Sequence, residues 1–169
     1  MKAIVVYESL WGNTAAVAHA VAEGIGGGAL ACSTSEATGA ALEGAELIVA
    51  GAPVFGFKLS SDRMREAIRA NPGKAPGPPD LSSPALRSWL DALPAGSGRC
   101  AAFDTQVRGP FGSGAPEIAK LLAAAGYVPV GEPAGFVVKG RYGPLKDGEL
   151  ERARAWGAEL ARAVEAQAG

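Results

Sequence analysis

Short, uninterrupted apolar runs recur along the chain and alternate with longer stretches whose apolar positions lie three or four residues apart. The first run, residues 3–7 (AIVVY), is continuous and rich in β-branched side chains, the pattern of a strand buried on both faces. Runs at 29–33, 47–50 (LIVA), 100–103 (CAAF) and 136–138 (FVV) predict further strands, the last preceded by residues 127–130 and a Gly/Pro-containing stretch. The helical spacing predicts helices over 14–23, 62–70, 85–93 and 117–125. GIGGG at 24–28 ends the first helix, and Pro116 stands where a first-turn proline is tolerated. The clearest helix is the last, where Leu150, Ala153, Gly157, Leu160 and Val164 share one face. Asp147 is expected to cap it, and Glu149/Arg152 and Glu159/Arg162 are expected as exposed pairs one turn apart.

Strand and helix alternating in this way predict an α/β fold, a parallel sheet covered by helices on both faces. Residues 71–84 (NPGKAPGPPDLSSP) carry five prolines and are read as a surface loop, since neither flank could form a core alone. Residues 1–169 are therefore expected to fold as one domain. Folds of this class bind ligands at the carboxyl ends of the strands, near the point where strand order reverses. The loops after strands one, three and four are where function is sought.

Composition narrows the classes. Of 169 residues, 48% are hydrophobic and 20% charged, which excludes a disordered chain. Sixteen Lys and Arg against 17 Asp and Glu give a net charge of -1 and no electrostatic argument for nucleic acid or an anionic membrane. No apolar run approaches the roughly 18 residues of a membrane span, and Glu8 interrupts the first run, so no secretory signal is read. Cys32 and Cys100 lie far apart and are expected as buried, reduced thiols of a cytoplasmic protein. His19 is the sole histidine and is expected on a helix surface, which argues against zinc chemistry and a Ser-His-Asp triad.

The loop after the first strand, Ser9-Leu10-Trp11-Gly12-Asn13-Thr14, leads directly into a helix. A helix N-terminus offers unpaired N–H groups and the positive end of the macrodipole. Short polar side chains at Ser9, Asn13 and Thr14, with Gly12 permitting close backbone approach, describe a phosphate cradle that needs no Lys or Arg. The same residues also suit a simple capped turn. No GK[ST] or GxGxxG is present.

S-x-x-G-N-T at this place resembles the phosphate-binding loop of flavodoxins, which hold FMN. Leu10 and Trp11 stand where many flavodoxins have Thr or Ser, so Ser9, Asn13, Thr14 and the backbone amides would carry the phosphate. The resemblance continues in Pro53-Val54-Phe55-Gly56-Phe57, the place of the aromatic residue, commonly Trp, that covers one face of the isoalloxazine. It implies that Phe55 stacks on the flavin and that the Gly56 peptide turns its carbonyl towards flavin N5–H. Phe55 and Phe57 equally suit a loop packed on the neighbouring helix. After strand four, Asp104, Thr105, Gln106, Gly109 and Phe111 correspond to the loop around the flavin pyrimidine edge. There the family's usual acidic residue is replaced near Val107, its stacking Tyr has no clear equivalent, and Asp104 could brace the loop instead.

The resemblance covers essentially the whole chain and is similar to the short-chain members. It implies a three-layer, doubly wound sandwich with a five-stranded parallel sheet in the order 2-1-3-4-5. It implies noncovalent FMN as cofactor and a one-electron carrier working between redox partner proteins. The near-neutral charge, with Lys58, Arg63, Arg65 and Arg108 flanking the loops, differs from the strongly acidic surface of many flavodoxins. An alternative is an FMN-dependent NAD(P)H-quinone or protoporphyrinogen-type oxidoreductase on the same scaffold. A receiver domain is disfavoured because Gly51-Ala52-Pro53 offers no phosphorylatable Asp. A flavodoxin-like domain used only for protein contact is the remaining alternative.

Overall fold

A computed structural model describes residues 1–56, 58–109 and 112–169. β1 (Ala3–Tyr7) leads into α1 (Asn13–Ile25), then β2 (Leu30–Ser33), the short α2 (Gly39–Leu42) and β3 (Leu47–Phe55). β4 (Lys58–Leu59), α3 (Asp62–Ala70), α4 (Leu86–Asp91), β5 (Arg99–Val107) and α5 (Ala115–Ala124) follow. β6 (Val128–Pro129), β7 (Ala134–Val138) and α6 (Glu149–Ala168) complete the order. The sheet runs β2-β1-β3-β5, with β6 and β7 both paired to β5, and every pairing is parallel except β3–β4. Apart from the β4 hairpin this is the expected 2-1-3-4-5 order. The fifth position is filled by two pieces, β6 against Arg99 and Cys100 and β7 against residues 103–107. Pro129 and Pro133 cannot donate ladder hydrogen bonds, which accounts for the break.

Two apolar layers sandwich the sheet. On one face α1 and α6 cover Val5, Val49, Phe103 and Phe136, and Trp156 closes an aromatic trio with ring centroids 6.0–6.3 Å apart. α1 and α6 approach so closely that a Cβ at Gly157 would lie 2.3 Å from the Val21 carbonyl oxygen. A Cβ at Gly24 would lie 2.0 Å from that of Arg154. On the other face Ile4, Val6, Ile48 and Cys100 pack against Leu86, Trp89, Leu90, Ile118 and Leu122.

Several local expectations change. β3 continues past Ala50 to Phe55 and turns back into β4, so Phe55 and Gly56 belong to a hairpin and not to an open loop. Gly56 has φ 52, the positive φ that the first position of a tight two-residue hairpin turn requires. α6 is capped by Gly148 (φ 86), one residue after Asp147, whose side chain instead pairs with Lys139 at 3.5 Å. Glu149 is buried, not exposed: besides Arg152 it accepts a hydrogen bond from the Val137 amide at 2.6 Å. Cys32 and Cys100 are free thiols, and burial pushes both up to about 11. His19 is exposed on α1. Among the described residues no helix is long and apolar enough to cross a membrane.

Candidate functional site

Strand order reverses between β1 and β3, and at the carboxyl ends of these strands lies a cleft of about 760 Å³. That volume falls within the roughly 300–1,000 Å³ of small-molecule sites. Ser9, Leu10, Trp11, Asn13 and Thr14 line it from the loop after β1, and Pro53, Val54, Phe55 and Gly56 from the end of β3. Thr105 and Gln106 line it from the end of β5. Three loops picked out in the sequence thus converge on one cavity.

The α1 end of the cleft presents unpaired backbone donors. Gly12, φ 93, caps α1 without any side-chain hydrogen bond, and the first turn carries no acidic residue. Only the Gly12 amide is engaged locally, donating to Ser9 Oγ at 3.2 Å. The amides of Asn13, Thr14 and Ala15 meet no protein acceptor among the described residues. Unpaired donors at the positive end of a helix dipole favour a negatively charged ligand. Thr14 is buried and its hydroxyl shares a 2.8 Å hydrogen bond with that of Thr105, tying the cradle to β5.

Leu10 and Trp11, which supply no hydroxyl, have another use. Leu10 is buried, and its carbonyl accepts from the Asp80 amide at 2.8 Å. Trp11 Nε1 donates to the Gly77 carbonyl at 3.3 Å. Residues 71–84 are therefore fastened across the loop after β1, an arrangement their composition does not disclose. Glu8, next to Ser9, completes the fastening from inside. Its Oε2 accepts from Arg65 Nη1 at 2.6 Å and Ser60 Oγ at 2.7 Å, and its Oε1 from the Leu86 amide at 3.0 Å. Arg65 Nη2 also donates to the Leu81 and Ser83 carbonyls. Arg65 is thus buried in an ion pair and not a surface cation at the cleft, which corrects the sequence reading. Lys58, Arg63 and Arg108 are exposed.

Other expected residues stand apart from the cavity. Asp104 is fully buried beneath it, with Oδ2 accepting from the Gly114 and Ala115 amides at 2.8 and 2.9 Å and from Ser113 Oγ at 2.6 Å. It thereby braces the N-terminus of α5. Its Oδ1 has no partner among the described residues. Gly12 and Gly109 are exposed and do not line the cleft, and Phe57 and Phe111 lie outside the described residues.

The sequence reading missed one wall of the cleft and its far end. Met64, Ala67 and Ile68 of α3, with Asn71 just after it, form that wall. Their i, i+3, i+4, i+7 spacing is visible in the sequence, though it reads equally well as a core-facing stripe. Val107, Val138 and Arg141 also line the cleft, Val138 at the end of β7 and Arg141 in the loop after it, which packs on the start of α1. There Asn13 Nδ2 donates to the Tyr142 carbonyl at 3.1 Å. The Trp11 and Tyr142 rings meet edge-on at 4.7 Å, and the Tyr142 hydroxyl donates to the Pro72 carbonyl at 2.7 Å.

Solved structures match this chain over nearly its full length. A flavodoxin from the domain Archaea superposes with a TM-score of 0.69 at 24% identity, covering 98% of this chain and 99% of that one. Oxidised Flavodoxin 1 from Bacillus cereus gives 0.66 at 18% identity, covering 96% and 98%. The fold is that of a flavodoxin. The flavodoxin fold also matches within a larger protein: rubredoxin oxygen:oxidoreductase from Desulfovibrio gigas gives 0.63 at 14% identity, with 99% of this chain but 37% of that one covered. No protein-family model and no curated protein matches the sequence.

Proposed function

We propose that this protein binds FMN noncovalently in the cleft and works as a one-electron carrier between redox partner proteins. The observation that carries the reading is the convergence, in one cavity at the strand-order reversal, of the start of α1 with its free amides, the half-buried aromatic Phe55 and the polar end of β5. The fit is chemical at each end. The free amides of Asn13, Thr14 and Ala15, with the side chains of Ser9 and Asn13, suit a phosphate. Phe55 and the α3 wall suit a planar aromatic ring, and Thr105 and Gln106 suit a ring edge rich in hydrogen-bonding groups. FMN supplies the redox chemistry when bound, and the chain's residues orient it, exclude water from it and tune its potentials.

Gly56 is the residue assigned to tuning. It sits exposed at the hairpin tip, where among the described residues only the Met64 methyl, at 3.9 Å, comes near a built Cβ, and without a Cβ its peptide can turn its carbonyl towards the ring at low steric cost. Gly56→Ala is expected to narrow the separation between the two one-electron potentials in a redox titration. An unchanged separation would remove that role.

The test of binding is titration of the purified protein with FMN, followed by visible absorbance and flavin fluorescence. Quenching to a one-to-one endpoint supports the reading, and no quenching refutes it. The second reading, an FMN-dependent NAD(P)H-quinone oxidoreductase, is favoured by the exposed cations Arg63 and Arg108, which adjoin the cleft-lining Met64 and Val107, and by exposed Lys58, two residues after Gly56. Steady-state NAD(P)H oxidation with a quinone by the flavin-loaded protein would select it, and absence of turnover would select the carrier. A cytoplasmic location is part of the proposal, supported by the two free thiols.

A further inference from the structure

We infer that Arg141 holds the phosphate end of the ligand and sets the preference for a phosphorylated flavin, an inference that rests on the flavin reading above. Among the described residues Arg141 is the one charged side chain that lines the cleft. It is carried by the loop after β7, which is pinned to the start of α1. The Tyr142 carbonyl accepts from Asn13 Nδ2 at 3.1 Å, the Tyr142 ring meets Trp11, and the Tyr142 hydroxyl reaches Pro72. Arg141 is therefore one residue away from a direct contact with the first residue of α1. Its guanidinium carbon lies 5.7 Å from the Tyr142 ring centroid, and it forms no ion pair among the described residues. Neighbouring Lys139, by contrast, is paired with Asp147.

The chemistry of the cradle leaves a task for such a group. Leu10 and Trp11 bring no hydroxyl to an anion, Leu10 being packed away and Trp11 committed to Gly77 and Tyr142. The amides of α1 supply directed donors but only partial charge. A guanidinium supplies full charge and a planar pair of donors matched to phosphate oxygens. No acidic side chain in the first turn of α1 competes for it. The alternative role, a surface arginine resting on a tyrosine, predicts no dependence on the ligand's phosphate.

The experiment compares binding of FMN and of riboflavin, which lacks the phosphate, to the full chain and to Arg141→Gln. FMN binding is expected to weaken about tenfold, the loss of one charge-assisted hydrogen bond to an anion, with riboflavin binding unchanged. Arg141→Lys should restore part of the difference, and raised salt should shrink it. Equal losses for both ligands, or no loss for FMN, would overturn the inference. A parallel titration with inorganic phosphate, read from the NMR amide shifts of residues 13–15, separates the two proposals. Phosphate shifts that weaken in Arg141→Gln while neither flavin binds would refute the flavin reading and keep Arg141 as an anion ligand. Phosphate shifts identical in both proteins would overturn the Arg141 assignment.

Discussion

Replacing Arg65 by Gln is the sharpest test of how the cleft is held. Glu8 is 2% exposed and Arg65 8%, so the variant leaves a carboxylate buried without its counter-charge. Ser60 and the Leu86 amide still donate to Glu8, while the Leu81 and Ser83 carbonyls lose their guanidinium donor. Breaking a buried pair from one side costs about 3–5 kcal/mol, because the remaining charge has given up its hydration. For a chain of this size, at about 2–4 °C per kcal/mol, the melting temperature should fall by roughly 6–20 °C. Urea unfolding gives the free energy, and limited proteolysis reports whether residues 71–84 come loose first. In a double-mutant cycle, Glu8→Gln added to Arg65→Gln should recover a large part of the loss, since the uncompensated charge is then gone. A loss below about 1 kcal/mol, the value of an exposed pair, would refute the argument that the pair is buried and anchors residues 71–84.

Three further outcomes follow from the packing and the cleft. Gly157→Ala should cost about 1–3 kcal/mol by overpacking, because the new methyl meets the Val21 carbonyl of α1, whereas Gly39→Ala, with open space around it, should be near neutral in the same thermal melts. Phe55→Ala should weaken FMN binding by at least the ~0.5–1.5 kcal/mol of an aromatic pair, read as a rise in Kd by fluorescence titration. Glu149 is held below its ordinary 4.5 by hydrogen bonding from Arg152 and then by the Val137 amide. A lowered folded-state value gives stability that is complete above about pH 4.5 and lost as pH falls through the lower value, so the acid limb of the stability curve should flatten in Glu149→Gln.

The sequence by itself determined the layer architecture and which loops meet at the cleft. Continuous, β-branched apolar runs such as AIVVY and LIVA suit a sheet covered on both faces, and the helical stripes between them supply the covers. Their alternation puts the loops after β1, β3 and β5 at one edge, which is why the sequence alone makes Ser9–Thr14, Phe55 and Gln106 neighbours. Tertiary structure decided what surrounds those loops. The path of residues 71–84 has no periodicity to read, since it is set by single contacts: Asp80 to Leu10, Gly77 to Trp11, and Leu81 and Ser83 to Arg65. Arg65 reads as one more helix cation until its helix is docked and Glu8 is found beneath it. Arg141 belongs to the cleft only because β7 adds beside β5, bringing the loop after it back onto the start of α1. Periodicity reports which face of an element is buried, whereas a contact between distant loops depends on strand order and chain closure, which no local pattern encodes.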